Sequence, residues 1–476
     1  MEPFTLDTGA TAWILTSAAL VLLMTPGLSL FYGGMVRART VLNMMLMSFS
    51  AMAVVAVAWV IAGYSLAFGT DIGGLIGSPL EFLGLAGADE QSLLAGSGVP
   101  FHVAAGFQMT FAIISAALIS GAIADRVKLG TWMVFVAVWV LAVYAPLAHM
   151  VWGGGLLGAD GPLAAIAEPV DFAGGTVVHI NAGIAGLVLA LVVGRRRGFG
   201  TDPMKPHNLP LVMLGAGLLW FGWFGFNAGS AGTADGTAGL AWVNTTVATA
   251  GAMLGWALVE RIRDRHVTSL GMASGVVAGL VAITPAAAAL TPLTAILLGL
   301  AAGVACALAV GLKHLVGVDD SLDVVGVHLV GGLVGTVGIG FLAADGGLLA
   351  GGGLSLLLVQ VLVALAAMVF SGAVTAVIAL VLARTLGWRI PEADERAGID
   401  ITHHAEAGYD LVGALASRRD RSSTPAFPPR DPGPEPRNPA PVGRVADPVG
   451  RSADSVGRSE AAAEETTRPA VAGEPR

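Results

Sequence analysis

Residues 267–312 read VTSLGMASGVVAGLVAITPAAAALTPLTAILLGLAAGVACALAVGL, 46 positions without an Asp, Glu, Lys or Arg. A helix that crosses a bilayer needs roughly 20 apolar residues, so this stretch holds two spans. Thr284-Pro285 and Thr291-Pro292 mark the turn between them. Uncharged runs recur at 10–34, 41–68, 172–194, 236–259 and 346–383. The whole chain of 476 residues is 55% hydrophobic and 12% charged, against about 25% charged in soluble domains. Mean hydropathy is +0.76. Such a chain has little to offer water and reads as an integral membrane protein. Its 66 glycines suit close helix packing in lipid.

The runs predict eleven helices, at about 10–34, 41–68, 101–124, 129–150, 174–194, 209–228, 239–260, 268–286, 293–314, 324–343 and 354–385. Lys and Arg mark the cytoplasmic side of a membrane protein, and acids largely do not. Numbering the loops alternately sends all 25 Lys and Arg to one side, from Arg37 and Arg39 to the 13 arginines beyond residue 383. The other side holds acids, among them Asp7, Asp71, Asp160, Glu168, Asp171, Asp235 and Asp345. One missed helix would scramble that separation. The expected architecture is all-α, with eleven transmembrane helices, the N-terminus outside and the C-terminus inside. Met1–Asp7 lacks the basic start of a cleavable signal peptide.

An internal repeat refines this. Val178-His179-Ile180-Asn181-Ala182-Gly183-Ile184-Ala185-Gly186 matches Val327-His328-Leu329-Val330-Gly331-Gly332-Leu333-Val334-Gly335, 149 residues later. The first copy lies in the fifth helix and the second in the tenth, so the two run in opposite senses. That is an inverted repeat of five helices plus five, with one extra helix, and such repeats place a transport site at their interface. Three segments are expected: 1–388 in the membrane, 389–410 as a cytoplasmic terminus, and 411–476 as a disordered tail rich in Pro and Arg.

Of nine histidines, His102, His149 and His314 sit at the ends of helices; only His179 and His328 lie deeper within spans, and they are the repeat-matched pair. An intramembrane ionisable group is a functional candidate, although one histidine can equally tie two helices together. Two at symmetric places should meet in one hydrogen-bonded pair. A neutral imidazole carries one donor and one acceptor, which suits a small solute with N–H groups and a lone pair. No acid is placed to neutralise a metal ion in the lumen, and no carbonyl filter of the potassium-channel kind is present. The one cysteine, Cys306, reads as a small buried hydrophobe. No metal, cofactor or nucleic-acid site is expected, nor any enzymatic nucleophile–base set.

Aromatic residues crowd the outer ends. Phe107 and Phe111 share a helical face, Trp152 ends the fourth helix, and Phe226 with Ser230 ends the sixth. Aromatic faces attract cations, by roughly 0.5–2 kcal/mol each, although many membrane aromatics simply line the lipid interface. Asp171, just before the fifth helix, can be an N-cap or a charge that favours a cation at the outer mouth.

At this point the motifs are recognisable. Phe31-Tyr32-Gly33-Gly34, His149-Met150-Val151-Trp152-Gly153-Gly154-Gly155, Asp171 through Asn181, Lys205-Pro206-His207-Asn208-Leu209-Pro210, Trp223 through Gly232, and Val318-Asp319-Asp320 with Gly326-Val327-His328 resemble the bacterial ammonium transporter (Amt) family of the Amt/Mep/Rh superfamily. The similarity covers about residues 8–410. It implies that Phe107, Trp152 and Ser230 recruit ammonium, that Phe111 and Phe226 gate the path below, and that His179 and His328 are the twin histidines of an apolar pore. It makes Asp171 the acid that shapes the outer site and supports deprotonation. It also implies a homotrimer in the bacterial plasma membrane with one pore per subunit, methylammonium as a substrate analogue, and a PII-type regulator at the cytoplasmic face, where Arg389–Tyr409 resembles the family's inner terminus. The loop around Gly161–Pro169 and the tail depart from the pattern. Two rivals stand beside transport: an ammonium sensor on the same fold, and a Rhesus-type channel for neutral gases. The tail carries no recognisable catalytic domain, and Trp152 with Ser230 favours the ammonium transporter branch.

Overall fold

The computed structural model describes residues 5–86 and 98–409; the tail from 411 lies outside the described residues, as do Asp89 and Glu90. Eleven long helices account for most of the described residues. They are α1 Thr8–Met35, α2 Val41–Phe68, α3 Phe101–Ile123, α4 Leu129–Trp152, α5 Gly175–Val193, α6 Leu209–Gly229, α7 Gly236–Arg263, α8 Ser269–Ala286, α9 Pro292–Val316, α10 Val325–Leu342 and α11 Ser355–Thr385. Each lies within three residues of its expected place, the widest difference being 239–260 against Gly236–Arg263. Side chains set several starts: Asp7, Asn208, Asp235, Thr268 and Thr291 each accept an N–H of the first turn of a helix.

Ten of these helices are long and apolar enough to cross a membrane. The exception is α7, whose polar positions include Asn244, Thr245, Thr246 and Glu260. Most of these face protein. Asn244 donates to Leu290 O at 2.7 Å and Thr245 receives Asn227 Nδ2 at 2.9 Å, both buried. Arg263 reaches Ala307 O near the far end of α9, so α7 runs alongside α9. A Cβ on Gly299 or Gly303 would collide with the carbonyls of Ala248 and Ala252, and only glycine lets these backbones approach. Polarity spent on a neighbouring helix explains why α7 is less apolar than the rest.

The basic loops do gather at one end of the bundle. Arg37 and Arg196 share Asp125 at 3.4 and 3.3 Å, while Arg196 and Arg126 share Asp319 at 2.8 and 3.9 Å. These residues come from the α1–α2, α3–α4, α5–α6 and α9–α10 connections. Arg389 joins them, paired with Glu395 at 2.7 Å. Buried charges are costly unless paired and hydrogen-bonded, and Arg126 donates to the carbonyls of Gly194, Ala124, Ala122 and Asp319 as well. Two short helices, α12 Glu392–Ala397 and α13 Ile399–His403, close this end. Asp400 accepts the N–H groups of Leu42 and Asn43, at 3.0 and 2.8 Å, where α2 begins. Tyr409 bonds His207 at 2.8 Å.

The sequence repeat is a repeat of geometry. Both α5 and α10 open with a π-helical turn, Gly175–Ile180 and Val325–Leu329, and each turn carries its histidine. Such widened turns are frequent at functional sites. Asp171 and Asp320 each lie eight residues before a histidine and accept N–H groups of the turn that follows. Gly174 and Asp323, at matching places, both have positive φ, +112° and +64°. The helices cross through glycines on both sides: a Cβ on Gly183 would sit 2.5 Å from Leu329 N, and one on Gly332 would sit 3.1 Å from Ile180 N.

Candidate functional site

The end opposite the basic loops carries a cavity of about 300 Å³ lined by Phe107, Gln108, Phe111, Trp152, Phe172 and Ser230, among others. These side chains are contributed by α3, by the ends of α4 and α6, and by the segment before α5. Trp152, the last residue of α4, donates its indole N–H to Asp171 O at 2.8 Å. Ser230, one residue past α6, donates its hydroxyl to Phe226 O at 2.8 Å. The serine hydrogen is thereby used, and its lone pairs are left for a donor in the cavity. Phe107 sits 4.8 Å from Phe111, edge to face.

Below the cavity Phe111 and Phe226 lie stacked, 4.1 Å apart with 16° between their planes. Both are fully buried. Rings this close leave no opening between them. Beyond them His179 stacks on Trp223 at 5.4 Å and approaches Phe226 at 6.2 Å. His179 and His328 then meet, with ring planes 20° apart and Nδ1 atoms at 3.3 Å. The expected pair is present.

That contact fixes tautomers in a useful way. If one Nδ1 donates, its own Nε2 is an acceptor; the other histidine accepts at Nδ1 and so carries an N–H at Nε2. The pair therefore presents one acceptor and one donor outward. His179 Nε2 is buried and has no hydrogen-bond partner among the described residues. His328 lines a small crevice beyond, with Phe31, Tyr32, Ser274 and Asp323. His149 lies off this path, bonded to Ala67 O and to Asp71 at 3.0 and 2.9 Å.

Asp171 is a cap, and more than a cap. Its carboxylate accepts four consecutive backbone N–H groups: Gly174 and Gly175 on Oδ1 at 3.0 and 2.6 Å, Thr176 and Val177 on Oδ2 at 3.0 and 3.1 Å. Through its carbonyl it also holds Trp152. Burial pushes its carboxyl up to about 6, against the pull of those four N–H groups. It stays ionised at neutral pH.

Two residues escaped the sequence reading. Gln360 of α11 clamps the backbone of Val170, next to Asp171, accepting its N–H at 2.9 Å and donating to its carbonyl at 2.8 Å. Nothing in the sequence signals this, beyond a single amide in an otherwise apolar helix. Asp320, in contrast, was within reach: it stands 149 residues after Asp171, the spacing of the histidines. Among the described residues no cluster of His, Cys, Asp and Glu could hold a metal ion.

A model of the Ammonium Transporter Family matches residues 12–409. An ammonium transporter of Mycobacterium tuberculosis is 52% identical over 439 residues, covering 86% of this chain and 92% of the relative. The crystal structure of Candida albicans Mep2 aligns with a TM-score of 0.75 at 34% identity, covering 82% of this chain and 88% of that one. A solved structure described as a sensor Amt protein aligns with a TM-score of 0.76 at 27% identity, covering 83% and 98%.

Proposed function

The chain belongs to the ammonium transporter family, an integral membrane protein by its helices, and on that premise we propose that it carries ammonium across the plasma membrane by splitting it into ammonia and a proton. One observation carries the reading. A cation-attracting aromatic cavity, a closed aromatic stack and a histidine pair follow one another between α3, α5, α6 and α10.

Ammonium binds between Phe107 and Trp152, whose ring faces attract it, and donates to the free lone pairs of Ser230. The ionised Asp171 adds negative potential nearby and holds the indole in place. A bare ion in an apolar passage is costly, so ammonium gives its proton to water in the outer cavity before the Phe111–Phe226 stack opens, and that proton follows separately by way of the histidine pair. Neutral ammonia then meets the histidine pair, which offers the acceptor and donor it needs. The same pair can relay the proton from one ring nitrogen to the next, since imidazole exchanges protons near neutrality. Potassium has no proton to lose and is rejected without a size filter. A homotrimer with one pore per subunit, the basic end facing the cytoplasm and a PII-type regulator there belong to the same proposal. The gathered arginines of the basic end support that orientation.

The test is current across liposomes containing the purified protein, with ammonium, methylammonium and potassium compared. Current with the first two and none with potassium is expected; equal potassium current sinks the reading. Replacing both His179 and His328 by Leu should change selectivity against potassium, and unchanged selectivity counts against the relay. The likeness to a sensor Amt protein favours one second reading, a sensor on this fold. Failure to support growth on limiting ammonium in a transport-deficient host, with binding intact, points to it.

A further inference from the structure

At the basic end, where α5 and α9 finish, three flat groups gather around one cavity. The Arg195 guanidinium lies 5.8 Å above the ring of Phe199. Phe199 and His314 are parallel within 11°, 5.4 Å apart. With Leu315, Val316 and Gly317 they line a cavity of about 550 Å³ that has no carboxylate in its wall. Arg195 is tied by Nε to Gly317 O. Unlike Arg126, Arg196 and Arg389, it has no acid within ion-pair distance among the described residues. A fixed, uncompensated guanidinium beside an imidazole is an anion-binding arrangement.

The surroundings say which anion. Val316 also lines a narrower crevice of about 120 Å³, walled by Leu187, Leu312, Val325 and Val330. Lys313 and Asp323, paired at 2.6 Å, close its polar rim, and Asp320 there is occupied by the N–H groups of Val324 and Val325. Leu315 is 82% exposed and Val316 69% exposed on the last turn of α9. A cationic cavity at the end of two spans thus shares Val316 with a neighbouring, mainly apolar slot. A soluble anion would use only the first. We propose that this is a site for an anionic glycerophospholipid, its phosphate on Arg195 and His314 and an acyl chain in the Leu187–Leu312–Val330 slot. Basic pockets between helices on the cytoplasmic side recognise anionic headgroups in this way.

The experiment uses the full-length protein, purified and delipidated in detergent, and follows the unfolding temperature as lipid is added. Dioleoylphosphatidylglycerol should raise it saturably. Dioleoylphosphatidylcholine, with the same chains and no net charge, should not, nor should inorganic phosphate. Arg195→Gln should weaken phosphatidylglycerol binding about five-fold, since one basic group near a charged headgroup is worth about that factor. His314→Gln should weaken it less, and Leu312→Trp, which fills the slot and keeps every charge, should weaken it too. Equal shifts from both lipids, a full shift from phosphate alone, or unchanged binding in Arg195→Gln and His314→Gln would each overturn the proposal.

Discussion

Asp171→Asn changes one atom and tests the whole outer site. The carboxylate holds four N–H groups, two on each oxygen. An amide keeps one oxygen and turns its NH2 towards the other two donors. Bonds to a charged acceptor contribute about 1.5–3 kcal/mol each and neutral ones about 0.5–1.5. Two bonds are weakened by about 1 kcal/mol, and two are lost outright. The amide escapes the burial cost that pushes the carboxyl up to about 6, which offsets part of the loss. A net loosening of about 2–5 kcal/mol at the start of α5 follows. It acts on the π-helical turn that carries His179 and on the carbonyl that holds Trp152. A tenfold effect needs only about 1.4 kcal/mol, so ammonium current in proteoliposomes should fall at least tenfold at fixed protein density. The variant should still fold, because the change sits at one end of one helix. A variant with current within threefold of wild type, still excluding potassium, would refute the reasoning.

Other outcomes follow from the same geometry. Gln360→Leu leaves the N–H and carbonyl of Val170 without their partner, about 1–3 kcal/mol each; KM for ammonium should rise several-fold with a smaller change in maximal rate, and Gln360→Glu, which keeps only the acceptor, should fall between. Because the carboxyl of Asp171 titrates near 6, it is ionised above that pH and neutral below; apparent ammonium affinity should be flat above pH 7 and decline as pH drops through 6, and the decline should vanish in Asp171→Asn. Gly183→Ala drives a methyl to 2.5 Å from Leu329 N, whereas at Gly332 the nearest atom is Ile180 Cγ1, 3.0 Å away; thermal unfolding should show the first destabilised by about 1–3 kcal/mol and the second by less, and the reverse order would contradict the crossing described.

The membrane layout was legible because its cause is local. An uncharged run of some 20 residues has one stable place, and the sorting of 25 basic residues shows where each run turns back. His179 and His328 were legible for a different reason: symmetry singled them out before any contact was known. The stacking of Phe111 on Phe226 was expected only through the family resemblance and not from the residues themselves, since it joins α3 to α6 across 115 positions of chain and depends on how those helices rotate. Gln360 escaped for the same reason, as an amide between leucines and valines looks like any helix–helix tie. The polarity of α7 misleads in the opposite direction, because its Asn and Thr residues serve neighbouring helices and not water.

The mirrored turns of α5 and α10 bear on rectification. Each histidine stands eight residues after its own aspartate, beyond a residue of positive φ, in a π-helical turn. The two turns match in backbone, although their neighbours differ: His179 stacks on Trp223, and His328 lies beside Phe31, Tyr32 and Ser274. On the proposed path, the matched backbone of these turns does not by itself set a direction. The larger asymmetry lies at the two ends of the bundle, one an aromatic cage and the other an arginine–aspartate lattice. If the proposed path holds, exchanging the two ends and leaving the centre untouched is the route to a protein that loads from the opposite side.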